Sequence, residues 1–453
     1  MATARPRYHL TAPTGRLNDP NGIFLSGDTL HVYYQKDPAF PFGTKRTGWG
    51  HATTTLSGEH ALIWQHHPDA LYPDAPYDLH GCYSGGAVRD ENGTVHLFYT
   101  GNLKVTREDG PPLRQATQNS VTVQSPDGPE GGFYRRHPAN PLIDAPAPGF
   151  TSHYRDPMIT VDPTGSTTWR MVLGAQRSNE TGAVVLYRSD DLVSWDFAGQ
   201  LTFDVSGAEP GTAPDLIPGG YMWECPNLLS MRDQSTGEDL EVLIICPQGL
   251  DPLVDVDGTT HYASKDNCGY LVGRLHGTTF EVLRGFSELD FGHQFYAPQV
   301  IAENGPDSAL MLGWMGLPDQ DDTPSVEAEG WVHCLTVPRR LTLSDRALRQ
   351  ELITPVEVVR DHLHDRSVTF VVRDSAGEDR AELTYRPGPT PQLSLSIDGD
   401  TRTVACQPGD VEIFLDGCAL EISAGGGTVC FSSVVFPTEG ATWEPITRTH
   451  GAG

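Results

Sequence analysis

The feature that most constrains this chain is a hairpin pattern that recurs five times in its first three quarters. Each copy opens on a polar or tight-turning group, runs into a short apolar strand, turns on Gly, Asp or Asn, and enters a second strand. The first copy reads Asp19-Pro20-Asn21-Gly22-Ile23-Phe24-Leu25, turns at Ser26-Gly27-Asp28 and returns through Leu30-His31-Val32-Tyr33-Tyr34. The fifth reads Ala297-Pro298-Gln299-Val300-Ile301, turns at Asn304-Gly305-Pro306-Asp307 and returns through Ala309 to Trp314. The copies open at Asp19, Ser84, Asp156, Glu224 and Ala297, a period near 70 residues. Such a period holds about four strands of 5–6 residues with their loops. Four-stranded units repeated around an axis make a propeller, which leaves few open sheet edges. The chain is therefore expected to be all-β, with a five-bladed β-propeller over residues 1–346. A β-sandwich or an unrelated string of hairpins is the competing reading, and the even spacing of five copies weighs against it.

The pattern stops after Arg346. Residues 347–366 read as a linker, in part helical, and residues 367–453 as short alternating strands of a small C-terminal β-sandwich. The 48 glycines and 36 prolines supply the many turns this architecture needs. The formal charge of −28 disfavours phosphate backbones and anionic lipid, so neither nucleic acid nor membrane is an expected partner. No stretch approaches the roughly 18 apolar residues of a membrane helix. Residues 1–10 lack the apolar core of a secretory signal. The eight cysteines include no C-x-x-C pair. A cytoplasmic setting with free thiols is the simplest expectation, and the oligomeric state is not legible.

Residues that open the innermost strands of a propeller converge at one mouth of its channel. Three of the five openings are carboxylates, Asp19, Asp156 and Glu224. Converging carboxylates suit glycosidic-bond cleavage: one attacks the sugar carbon, a second protonates the leaving oxygen, and a third favours the cationic transition state. Crowding of like charges raises one pKa and so supplies the acid. A divalent-metal site is the competing chemistry, but no EF-hand-like spacing surrounds any of the three. No metal and no cofactor is expected.

The local contexts carry a family resemblance. Tyr8-His9 followed by Gly15-Arg16-Leu17-Asn18-Asp19-Pro20-Asn21-Gly22 resembles the signature of glycoside hydrolase family 32, the invertases and fructosidases. Arg155-Asp156-Pro157 and Glu224-Cys225-Pro226 resemble its other two carboxylate motifs, in order. Trp49-Gly50-His51-Ala52, Gly81-Cys82-Tyr83-Ser84-Gly85, Phe295-Tyr296-Ala297-Pro298-Gln299 and Gly313-Trp314-Met315-Gly316 are further matches. The resemblance implies Asp19 as nucleophile, Glu224 as acid/base and Asp156 as transition-state stabiliser. It also implies that Asn18, Gln35, Trp49, Ser84, Arg155 and Trp314 line a fructose subsite. Arg155 beside Asp156 is expected to keep that carboxylate ionised, and Cys225 reads as simple packing. Lys36-Asp37-Pro38, Gly86 and the long stretch from Ala39 to Thr47 depart from the family pattern. The implied activity is a retaining β-fructofuranosidase acting on a small saccharide such as sucrose or a short fructo-oligosaccharide. Sucrose-6-phosphate hydrolysis, with Lys36, Lys45 and Arg46 as local cations, and fructosyl transfer are the alternatives on the same site.

Overall fold

In the computed structural model, which describes residues 4–107, 110, 112–303, 305–355 and 358–450, the chain is all-β apart from one short helix, Pro324–Glu329, and a 3₁₀ turn. Asn304 of the fifth expected turn, and Val356 and Glu357 of the expected linker, lie outside the described residues. Among the described residues, seven sheets of four or five strands follow one another, together with one two-stranded ribbon. The first five sheets begin with Gly15–Ser26, Ala87–Arg89, Phe150–Val161, Met222–Arg232 and Tyr296–Ala302. Each of these strands is followed by an antiparallel partner, as the hairpin repeat requires. The second strands Trp169–Arg177 and Asp239–Gln248 are buried almost throughout. Both of their faces are covered, which is why they read as near-continuous apolar runs.

The five first strands contact one another in cyclic order, and a ring of hydrogen bonds follows the same circuit. Asn21 Oδ1 accepts from Gly85 N at 3.1 Å, and Gly86 N donates to Pro157 O at 2.9 Å. Cys225 N donates to Asp156 Oδ2 at 3.0 Å, and Asn227 Nδ2 donates to Pro298 O at 2.9 Å. Ile23 N donates to Gln299 Oε1 at 2.8 Å, which returns the circuit to the first sheet. A late segment, Trp331–Val332, pairs in parallel with Gly15 and Arg16 and so joins the two ends of the ring covalently distant in sequence.

The segment expected to begin the linker is a strand. Ala347–Leu352 pairs antiparallel with Arg339–Ser344 and ends the fifth sheet. Its two-residue turn, Asp345-Arg346, has φ of 53° and 58°, the left-handed pair of a tight hairpin that Asn-Gly usually makes. With no glycine there, the sequence carried no turn signal. Asp233 stabilises the turn, accepting from Asp345 N at 3.2 Å and from Arg346 N at 2.7 Å.

Two further sheets complete the chain. One contains Val359–Leu363, Gly409–Asp416, Ala419–Ala424 and Val429–Val434, and the other is built around Val368–Arg373, Asp379–Arg386, Gln392–Ile397 and Asp400–Ala405. The two sheets share one core that includes Phe370, Leu383, Leu395, Ile413, Ile422 and Phe431. Among the described residues, no helix is long and apolar enough to cross a membrane.

A buried ionic network fastens the first of these sheets to the ring. Arg339, fully buried, donates to Asp290 Oδ2 and to Gln350 Oε1 at 2.9 Å, and to Glu421 Oε2 at 3.0 Å. Glu421 Oε1 lies 3.0 Å from His9 Nε2, and Asp416 Oδ2 lies 2.8 Å from His9 Nδ1. Burial opposes charge on His9, but hydrogen bonds to Asp416 and Glu421 outweigh it and lift its pKa from 6.5 to about 9. The stabilisation is therefore complete below pH 6.5 and is lost as pH rises through about 9. Its scale is on the order of 3 kcal/mol. Denaturant unfolding of the wild type should lose stability over that window. His9→Gln should be less stable at pH 6 and should lack that pH dependence; an identical slope in both proteins would contradict the assignment.

Candidate active site

Three of the first strands carry a β-bulge at one shared register. Arg155 pairs with Gly174 but Met158 with Val172; Glu224 pairs with Cys246 but Asn227 with Ile244; Tyr296 pairs with Trp314 but Gln299 with Leu312. In each, two residues oppose one: Asp156-Pro157, Cys225-Pro226 and Ala297-Pro298. The first of each pair is left-handed, with φ of 67°, 45° and 47°. Proline lacks the N–H that a ladder needs, so the bulge accommodates it.

This alignment corrects one sequence expectation. Glu224 does not match Asp156; it precedes the bulge and matches Arg155 and Tyr296. Two rows result, side by side on adjacent strands. The first is Arg155, Glu224 and Tyr296. Arg155 Nε donates to Glu224 Oε1 at 2.8 Å and its Nη2 bonds the same oxygen, while Tyr296 Oη donates to Glu224 Oε2 at 2.9 Å. The second row is Asp156, Cys225 and Ala297. Cys225 Sγ lies 3.6 Å from Asp156 Oδ2 and 3.8 Å from Asp19 Oδ2, so it sits between two carboxylates and does more than fill space. Burial, then Asp156 and Asp19, push its thiol well above the usual range, which keeps it neutral beside them.

Asp19 comes from the first sheet. Its Oδ1 accepts from Asn18 Nδ2 at 3.0 Å, and Ser84 Oγ bonds its Oδ2. Asn18 Nδ2 also donates to Gln35 Oε1 at 2.7 Å. Burial raises the Asp19 pKa; the Ser84 and Asn18 bonds lower it, the Glu224 charge raises it and Arg16 lowers it. Asp156 is pushed up to about 7, first by burial, against Arg155, and with Glu224 and Asp19 adding to the rise. The Arg155 charge favours the ionised form of Asp156, while burial and the Glu224 and Asp19 charges oppose it. The guanidinium turns to Glu224 and stays 3.9 Å from Asp156, because Arg155 and Glu224 share a register across adjacent strands. Asp156 is held instead by Cys225 N–H, and its own N–H by Thr100 Oγ1 at 3.0 Å.

The structure brings Asp19, Asp156, Glu224, Asn18, Gln35, Ser84 and Arg155 into this one network. Trp49 and Trp314 stand behind it. Trp49 has 0% exposure; it packs with Tyr33 and Tyr99, and its indole N–H donates to Tyr83 O at 3.1 Å, one residue before Ser84. Trp314, 2% exposed, packs against Tyr296 with ring centroids 6.3 Å apart. Tyr296 and Cys225 were not among the expected site residues. Aligning the repeat on its prolines rather than on its carboxylates would have placed both. Lys36, a candidate for binding an anion, is paired with Asp69 at 2.7 Å. Among the described residues, no group of three or more His, Cys, Asp and Glu is arranged to hold a metal ion.

Comparison with known proteins gives a family. The family described as "Glycosyl hydrolases family 32 N-terminal domain" matches residues 9–353. The sucrose-6-phosphate hydrolase of Bacillus subtilis is 34% identical, over 96% of this chain and 90% of the relative. That of Klebsiella pneumoniae is 37% identical, over 95% and 88%. A Bombyx mori GH32 beta-fructofuranosidase, solved as a mutant in complex with sucrose, superposes with a TM-score of 0.77 at 27% identity, covering 97% of this chain and 90% of that one.

The Asp19 environment is directly testable. Ser84→Ala removes a hydrogen bond to the charged form, so Asp19 should ionise at higher pH than in the wild type. Difference infrared spectroscopy, with the band assigned by Asp19→Asn, reads this; an unmoved or lowered titration would contradict it.

Proposed function

The chain belongs to glycoside hydrolase family 32, and from that membership we propose that it is a retaining β-fructofuranosidase that hydrolyses terminal β-D-fructofuranosides. In the proposed reaction Asp19 attacks the anomeric carbon of fructose while Glu224 protonates the departing oxygen. Water, deprotonated by Glu224, then releases fructose from Asp19 with net retention. Asp156 holds sugar hydroxyls and stabilises the oxocarbenium-like transition state.

The single observation that best supports this reading is the network of Asp19, Asp156 and Glu224 around Cys225, with Arg155 on Glu224. Asp156 is buried and pushed up to about 7, first by burial, with the Glu224 and Asp19 charges adding to the rise. Asn18 and Ser84 steady Asp19, Gln35 steadies Asn18, and Trp49 and Trp314 form the floor and wall behind the subsite.

The same proposal takes the five cyclic sheets as the blades of a propeller and the last two as a β-sandwich. The expected domains, residues 1–346 and 367–453 joined by 347–366, shift at their boundary: the strand to Leu352 continues the fifth blade and the strand Val359–Leu363 already belongs to the sandwich. The eight free thiols suit a cytoplasmic setting. The names of the Bacillus and Klebsiella relatives favour a second reading, hydrolysis of sucrose 6-phosphate. With Lys36 already paired, Arg114 is the better-placed cation: it lies over the Tyr83 ring at 5.2 Å and interacts with the charges of Glu224 and Asp156.

Asp19→Ala and Glu224→Gln should fold and lose about 10²–10⁴-fold or more in kcat on sucrose; wild-type rates in either would refute the roles given. Equal release of glucose and fructose at high sucrose is expected, and a large fructose deficit would indicate transfer instead. A much higher kcat/KM on sucrose 6-phosphate than on sucrose would establish the second reading, and equal values would reject it.

A further inference from the structure

Behind Asn18 lies a closed circuit of side chains from four distant segments. Arg16 Nη1 donates to Asn18 Oδ1 at 2.8 Å, and Arg16 Nε donates to Asp321 Oδ1 at 2.8 Å. The same Asp321 oxygen lies 2.8 Å from His333 Nε2. The Arg16 guanidinium lies over the Trp314 ring, 5.1 Å from its centroid, and His333 meets that ring edge-on with centroids 5.1 Å apart. The Arg16 side chain is 13% exposed and that of Asp321 34%.

An amide side chain has a donor end and an acceptor end of nearly equal shape, and its neighbours decide which way it faces. With Oδ1 of Asn18 occupied by a guanidinium donor, its Nδ2 is the end left to face Asp19 Oδ1 and Gln35 Oε1. Without Arg16, the amide is free to turn its oxygen toward a carboxylate, where it repels. We propose that Arg16, held by Asp321 and His333, is a positioning residue that locks the Asn18 amide so that its N–H faces the Asp19 carboxylate. The proposal rests on the reading of Asp19 as nucleophile. The groups facing Asp19 are Asn18 and Arg16 from its own strand, Ser84 from the segment just before the second sheet, and Cys225, Glu224 and Asp156 from the third and fourth. Arg16 contributes a positive charge to this set as well as the orientation of Asn18.

Steady-state kinetics on sucrose across pH test this. Arg16→Met should lower kcat by about 10²-fold, the usual effect of a misplaced reacting group, with KM little changed and the acid limb of kcat/KM moved to higher pH. Arg16→Lys keeps the charge but not both bonds, so kcat falls while the acid limb stays. Asp321→Ala should lose more kcat than Asp321→Asn, which still offers an acceptor to Arg16. A wild-type kcat in Arg16→Met, a loss confined to KM, or a kcat loss with an unmoved acid limb would overturn the proposal. Should Arg16→Met fail to fold, the Asp321 pair decides, and equal rates in Asp321→Ala and Asp321→Asn would overturn it. An active Asp19→Ala would instead bring down the catalytic reading, and the positioning role with it.

Discussion

A strand that contains a proline after a left-handed residue cannot pair fully with its neighbour, and three first strands do this at one register. Each left-handed non-glycine residue costs on the order of 1–3 kcal/mol. The hydrogen-bond ring that passes through Gly86, Cys225, Asn227, Gln299 and Ile23 offsets this cost, because it gives the freed backbone groups partners on the next sheet. The bulge also turns Asp156 and Cys225 out of the sheet plane while Arg155, Glu224 and Tyr296 keep their pairing. Strain at the ring and chemistry at its mouth thus have one origin.

Electrostatics follows from that geometry. Bringing Asp19, Asp156 and Glu224 together away from water is unfavourable, and one guanidinium offsets only part of the repulsion. Burial is the first cause of the raised pKa of both Asp19 and Asp156. The acidic surface of the protein contributes little here, since exposed charges are screened within about 10 Å at ordinary salt. A second buried network, centred on Arg339, joins His9, the fifth sheet and the first of the C-terminal sheets, and its hydrogen bonds go to other partners than Asp19, Asp156 and Glu224.

Much of this was legible in the sequence, and the failures have physical reasons. The order of the carboxylate motifs and the partners Asn18, Gln35, Ser84 and Arg155 came from the family resemblance, while the five hairpins could be read from local pattern. The register could not. A bulge adds one residue to a strand without changing its composition, so Glu224 and Asp156 looked equivalent when Glu224 and Arg155 are. The strand Ala347–Leu352 escaped notice because its turn is made by Asp345-Arg346, stabilised by Asp233 from more than a hundred residues upstream. Arg16, Asp321 and His333 meet only through the ring closure that pairs Gly15 with Trp331, and no local motif announces a contact of that kind. Trp49 matched a motif, but its complete burial makes it a support for Ser84 rather than an exposed surface.

The central claim is that Asp19 forms a covalent bond to fructose and Glu224 resolves it. The most direct test uses Glu224→Gln with a fructoside whose leaving group departs without acid assistance. The first step then proceeds and the second stalls for want of a base. Peptide mass spectrometry after acid quench should find one anhydrohexose on the peptide that contains Asp19, and none in Asp19→Ala. Turnover of the activated fructoside with no adduct, or an adduct on another residue, would contradict the account.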